Sequence, residues 1–361
     1  MTINELKELA RHAANRTAPA EFSVQSVDLA VADQFKAMTK SINDYNRNKY
    51  DIFDIIIENA DTIVPVKVME QFNQFAEVRN VAQGDKVLFK RGPLGKARAK
   101  KFLTQVGLSG VYESFRLDSE TFTVSMKAIG GAVSIDFERM LDGAENLAEF
   151  MNVLAEAQVD GIYGEVQNAL LAASAHMPAN NYVSGSYSAT ALQGLVNTVK
   201  RYGGGATIFA SPEFIDAMGP DAIVPTLVNG TTAVAQGIYP QDDIDAIHNT
   251  GRIRIFRGTP IVELKQSWLD EKNEKIMINP QYAYVLPSGG DKVVKIVMEG
   301  QTQIWDYVNA DQSIEVNTYR KIGVGILAYN NWGIYQNTAI DDSDWYDSGV
   351  LDIGVDMHIQ G

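Results

Sequence analysis

No cysteine occurs among the 361 residues, which excludes disulfides, thiolate metal sites and cysteine nucleophiles and fits a reducing compartment such as cytoplasm. Histidine is scarce. His12, His176, His248 and His358 are scattered, and none stands in metal-ligand register with a second histidine or a carboxylate, so the spacing supports neither a zinc site nor a histidine-based triad. No stretch reaches the roughly 18 uninterrupted apolar residues of a membrane span. The first residues, MTINELKELARHAANRT, lack the apolar centre of a secretion signal and instead alternate apolar and charged residues at helical spacing. A soluble protein is expected. Basic charge is also in deficit, with 31 Lys and Arg against 45 Asp and Glu and a net charge of -14. Proteins that grip phosphate draw their affinity largely from Lys and Arg, so direct nucleic-acid binding is disfavoured, although a surface may face DNA without holding it.

Motifs for bound cofactors are equally thin. Gly203, Gly204 and Gly205 fall between an expected helix and an expected strand, the reverse of the strand-to-helix order in which helix amides meet a dinucleotide phosphate. GPLGKA at 92–97 has two residues between its glycines where a phosphate loop has four, and Ala97 stands where magnesium needs Ser or Thr. Asp242, Asp243 and Asp245 could offer oxygen ligands to a cation, but such a run more commonly caps and charges a helix start. No catalytic residue, cofactor or metal is expected.

What the chain does have is a concentrated basic run. Lys86, Lys90, Arg91, Lys96, Arg98, Lys100 and Lys101 fall within 16 residues that hold no acid, which leaves the remainder of the chain at -21. Gly84, Gly92, Pro93 and Gly95 argue against a compact helix there. The strand-like KVLFK before the run and FTVSMKAIGGAVSI after it predict two extended limbs, with Gly130-Gly131 able to supply a bend or bulge. Two strands alone are marginally stable and need another surface to lie on. Only Phe89 and Phe102 could stack on bases, so an acidic patch on another copy of the chain is the natural acceptor.

At 361 residues and 45% apolar content the chain exceeds one core, and two or more lobes are expected. Residues 1–60 read as a short amphipathic helix, the extended polar segment SINDYNRNKYDIF and then IIIENA, an arm with little core of its own. Val68, Phe72 and Phe75 place one buried helical stripe in 61–80. Residues 144–176 carry the strongest signal: Leu147, Phe150, Met151, Leu154, Val159, Ile162, Val166, Leu170 and Leu171 recur at three- and four-residue steps. They predict a helix about 50 Å long at 1.5 Å per residue, weakened at Gly161 and Gly164 and ended by Pro178. From 185 to 285 helix and strand alternate: SATALQGLVNTVKRY, ATIFAS, a helix capped by Ser211 with Pro212 inside, then RIRIF, TPIVEL and KIMIN as short strands. VVKIVMEGQTQIWDYV and SIEVNTYRKIGVGILAYNNWGIYQ predict long strands, followed by a tail at 338–361 with six aspartates and no Lys or Arg.

This order of elements, with VSIDFERMLDGAENLAEFM entering the long helix, ATIFASPEFIDAM in the mixed lobe and the two closing strands, resembles the major capsid proteins of tailed bacteriophages. The resemblance implies an α+β Hong Kong 97-like capsid fold: an N-arm at 1–60, a P-domain helix segment at 61–80, and an extended β E-loop at 81–140. The P-domain spine helix would occupy 141–184, a mixed α/β A-domain 185–285, P-domain strands 286–337 and an acidic tail 338–361. It also implies homo-pentamers and homo-hexamers in an icosahedral head, assembled in bacterial cytoplasm, with scaffolding, portal and decoration proteins as partners and packaged DNA nearby without specific binding. The seven basic residues would be E-loop contacts to the next subunit. An encapsulin-like nanocompartment, or a soluble α/β enzyme with a β-rich appendage, are the alternatives.

Overall fold

The computed structural model describes residues 3–14, 17–19, 23–91, 120–135, 147–218, 254–270, 272–289, 292–308, 314–326 and 330–345. The N-terminal third of these is helical: α1 (Ile3–Ala14), α2 (Val24–Met38) and α3 (Ile42–Phe72). Ser23 opens α2 with a reciprocal capping box to Ser26, and the Ser41 hydroxyl accepts from the Asp44 amide to open α3. The segment expected to be extended and polar is therefore helix, and α3 runs on through Pro65. Nor is it without a core. Leu6, Val27, Val31, Phe35, Tyr45, Ile52, Phe53, Ile55 and Ile56 bury one another, with Leu154 and Val316 closing the cluster. The polar residues of SINDYNRNKYDIF cover the outside of a helix whose inner stripe is Tyr45, Ile52 and Ile56.

The long helix forms as expected, as α4 (Leu147–Ser174), with Leu154, Val159, Ile162, Val166 and Leu170 buried. With α3 it covers one face of a four-stranded sheet of order β1-β10-β11-β4. The strands are β1 (Ala76–Val81), β4 (Lys127–Ile135), β10 (Val294–Val308) and β11 (Ile314–Ile326). The long β10–β11 hairpin is its centre, interrupted by a bulge between Glu299 and Gln303 where Gly300 adopts φ +68°. β4, expected as part of the arm, instead pairs along its whole length with β11, and its register runs through Gly130-Gly131 without the expected bulge. β2 (Phe89–Arg91) and β3 (Glu120–Phe122) make a separate short antiparallel pair.

A six-stranded sheet of order β5-β12-β9-β6-β8-β7 forms the second lobe. It contains β5 (Tyr182–Gly185), β6 (Ala206–Ala210), β7 (Ile255–Phe256), β8 (Thr259–Glu263), β9 (Tyr282–Pro287) and β12 (Gly333–Asn337). α5 (Ala189–Gly203) packs on it through Leu192, Leu195, Val196 and Val199, and α6 (Pro212–Ala217) has the expected Ser211 cap and Pro212 at its start. KIMIN contributes only isolated bridges at Ile276 rather than a strand. The expected continuation of the last long strand through NNWGIYQ also fails: after Ile326 the chain changes sheets, and β12 pairs with β5 and β9. Its side chains explain the switch, since Trp332 and Ile334 fill the core shared by both sheets while Tyr335 enters the second-lobe core. Trp332→Ala should cost about 3–5 kcal/mol by truncating a fully buried side chain, measured by denaturant unfolding. A loss under about 1 kcal/mol would contradict this shared core.

Candidate assembly interface

The four-stranded sheet has two unlike faces. Alternation places Val294, Ile296, Met298 and Ile322 toward the helices, all buried in the main core. The opposite, outer face is set by register: Glu77 beside Lys295 beside Gly325, then Arg79 beside Val297 beside Gly323, then Val81 beside Glu299 beside Lys321. Across this face lie β2, β3 and residues 123–126. Their seat is made by absence of side chain. A Cβ at Gly323 would stand 2.8 Å from Met126 Sδ and from the Ser125 backbone oxygen, and one at Gly325 would stand 2.9 Å from Val124 Cγ2.

Phe89, only 2% exposed, locks the seat from the other limb. Its ring stacks against Phe122 at 5.5 Å between centroids. The Arg79 guanidinium lies 4.8 Å and the Lys295 ammonium 5.6 Å from its centre. Glu77 binds both cations: Arg79 Nε donates to Oε1 at 2.7 Å, and Lys295 Nζ donates to Oε2. Burial alone would raise the Glu77 carboxyl, but the hydrogen bonds and charges of Lys295 and Arg79 hold it below the usual carboxylate value of 4.5. Beside this cluster Gly84, at φ +89°, donates its amide to Glu299 Oε1 at 2.8 Å. A cleft of about 280 Å³ remains between 84–87, 123–126, Val297 and Glu299.

On the inner side, a polar joint ties α3 to the bulge. Asp61 Oδ1 accepts from the Thr302 amide at 3.0 Å and its hydroxyl at 2.8 Å, and lies 3.3 Å from Arg320 Nη1. Lys49 reaches Asp306 at 3.1 Å farther along the hairpin. Helix and hairpin are thereby fixed at two points.

Of the seven basic residues, Lys86 is exposed at the arm's root and Lys90 and Arg91 belong to β2. Lys96, Arg98, Lys100 and Lys101 lie outside the described residues, as do Phe102, GPLGKA, the Asp242, Asp243 and Asp245 cluster, His248 and His358. Gly203-Gly204-Gly205 does run from α5 into β6, with Gly204 at φ +81° ending the helix. His12 bonds Thr17 through Nδ1 at 3.0 Å, and His176 lies in the turn after α4, where its amide donates to the Ala173 carbonyl. Among the described residues no group of three acidic or histidine side chains could hold a metal ion. Sequence reasoning missed Phe89 as an anchor, the Glu77, Arg79 and Lys295 cluster, and the two seat glycines. The signal for the last was present in KIGVGIL, where glycines two apart in a strand mark one face for close backbone approach.

Gly323→Ala should displace residues 123–126 at a cost of about 1–3 kcal/mol and speed proteolysis between Lys86 and Met126, whereas Gly131→Ala, which meets open space, should not. Equal cleavage rates would contradict the seat. The depressed Glu77 value also gives a sign. Its stabilising contribution is complete above the unfolded carboxyl value near 4.5 and is lost as pH falls through the lower folded value. Protection of the root against proteolysis should thus drop on acidification below about pH 4, and Glu77→Gln should flatten that dependence.

No curated protein sequence matches the chain. Among solved structures, the capsid of cyanophage P-SCSP1u is similar at 11% identity over 73% of this chain and 87% of that chain, with a TM-score of 0.47. The procapsid of satellite phage P4 is similar at 8% identity over 77% and 90%, with a TM-score of 0.49. The SrpI encapsulin of Synechococcus elongatus is similar at 12% identity over 79% and 91%, with a TM-score of 0.44. A family model described as "SPbeta prophage-derived putative capsid protein YonB" matches residues 5–336. With nearly all of its length matched, the chain belongs to this YonB capsid protein family.

Proposed function

We propose that this chain is a major capsid subunit, copies of which close as pentamers and hexamers into an icosahedral phage head around double-stranded DNA. The family match over residues 5–336 carries the reading. The molecule is suited to it: a helix-and-hairpin body, a second lobe on its own sheet, and the β2–β3 pair with residues 123–126 seated on the outer face of the first sheet. In this reading 81–140 is the E-loop, less β4, which joins the hairpin; α4 is the spine; 185–285 is the A-domain. Lys96, Arg98, Lys100 and Lys101 of the distal arm then meet acidic faces of the next subunit. Each exposed pair contributes only about 0–1 kcal/mol, but closed symmetry repeats it at every interface.

The role is structural, without turnover, and scaffolding or portal proteins would act on assembly rather than on chemistry. The net charge of -14 favours an inner surface that does not adhere to DNA during packaging.

Purified protein should form particles on the order of tens of nanometres across by size-exclusion chromatography and negative-stain microscopy. The combined Lys96→Glu, Arg98→Glu, Lys100→Glu, Lys101→Glu variant should keep its circular dichroism spectrum and lose particle yield by roughly tenfold or more. Normal particles from that variant would show the arm charges to be dispensable. Particles filled with a co-purifying enzyme in place of DNA would favour a nanocompartment.

A further inference from the structure

Tyr284, in β9, carries a hydroxyl into the packing between the two lobes. The residue is 2% exposed, and among the described residues its hydroxyl has no hydrogen-bond partner. An unpaired buried O–H is costly, and most such groups in folded proteins bond either protein or ordered water. Burial first, and then the neighbouring phenols of Tyr282 and Tyr163, push its ionisation far above the ordinary value of 10.0. The group therefore stays a neutral O–H and needs an acceptor.

Tyr284 lines a cavity of about 20 Å³ that lies between the end of α3, one face of α4 and the sheet of the second lobe. An aromatic frame surrounds it, with the Phe72 and Tyr163 rings 5.1 Å apart between centroids and the Phe75 and Phe209 rings 5.0 Å apart. Every lining residue except Tyr163, Gln167 and Tyr284 is apolar, and none is charged. Tyr163 and Gln167 stand four residues apart on α4 and so share a face. Each has bonding capacity left over. Burial pushes the Tyr163 hydroxyl up to about 12 and the Lys265 backbone opposes that rise, which is the sense of an N–H donating to the phenol oxygen. The Tyr163 proton is thus still to be donated. Gln167, with its amide turned, donates to the Met277 carbonyl at 3.2 Å and accepts from the Asn279 amide at 2.7 Å, which leaves one N–H and one oxygen lone pair.

We infer that this cavity is the site of one buried water molecule, which accepts from the Tyr163 and Tyr284 hydroxyls and donates to Gln167 Oε1. Size and chemistry both select water. A site of roughly 10–15 Å³ or more admits one molecule, provided that about two to four polar groups meet it, whereas a wholly apolar cavity stays dry. Here three polar groups converge, the volume is too small for an organic ligand, and no charged side chain is present to hold an ion. The consequence is a joint. α4 belongs to the body of the first lobe and β9 to the sheet of the second, so the water ties the lobes by directional bonds where the aromatic frame supplies only contact. The site stands on its own geometry and does not depend on the shell reading above.

A double-mutant cycle on the full-length chain tests the site, because the sign of its first step depends on whether the hydroxyl is paired. Tyr284→Phe, Tyr163→Phe and the double variant are compared by denaturant unfolding. Tyr284→Phe should lower the folding equilibrium constant about tenfold, and the double variant should lose at least about threefold less than the product of the two single losses. A Tyr284→Phe chain as stable as the unsubstituted one, or more stable, would overturn the inference, since deleting an unpaired buried hydroxyl removes a penalty and breaks no bond. Strict additivity of the two losses would overturn it equally. Should either variant fail to fold, a high-resolution density map of the unsubstituted chain decides. An isolated peak within hydrogen-bonding distance of both phenol oxygens is expected, and a direct bond from Tyr284 to a protein atom, or no peak there, would overturn the site.

Discussion

The β10–β11 hairpin is the constraint on which the rest of the molecule depends, because its two faces do different work. Val294, Ile296, Met298 and Ile322 bury the inner face under α3 and α4. On the outer face Gly323 and Gly325 leave a flat seat, and Lys295 with Arg79 holds the Phe89 ring there. A buried lysine is costly unless its charge is met, and Glu77 meets it while also binding Arg79. The arm's root is thus fastened by packing and charge together, and neither requires another subunit.

That separation suits a shell-building subunit. Assembly must be reversible at each weak contact yet uniform across many copies, so looseness where β2 and β3 meet the sheet would be harmful. The joint between Asp61, Thr302 and Arg320 serves the same end from the inner side, holding the N-terminal helices to the bulge at Gly300. The N-terminal helices consequently share a core that Leu154 and Val316 close, instead of trailing as a strap.

Elements with strong local periodicity were legible in the sequence: α4 from its Leu154 to Leu170 stripe, α5, the Ser211-Pro212 helix start, and the two long strands. Residues 42–56 misled because Asn, Asp and Tyr dilute the stripe of Tyr45, Ile52 and Ile56, and only packing against α1 and α2 reveals it. Pro65 concealed the length of α3 by the same token, since a proline within a helix argues for an end. Pairings between distant segments were out of reach: β1 lies parallel to β10 more than two hundred residues away, and no local pattern encodes that register. The Phe89 seat is of this kind, built from four separate strands, so the basic run drew the eye while its foundation went unseen.

The central claim is that the root of the arm is seated before assembly and that only the distal arm is completed by a neighbour. Amide hydrogen exchange, compared between unassembled subunits and closed particles, tests it most directly. The account requires Phe89–Arg91 and Glu120–Phe122 to be protected equally in both, with new protection appearing in residues 92–119 on assembly. Root amides that exchange freely in the subunit and become protected only in particles would contradict it.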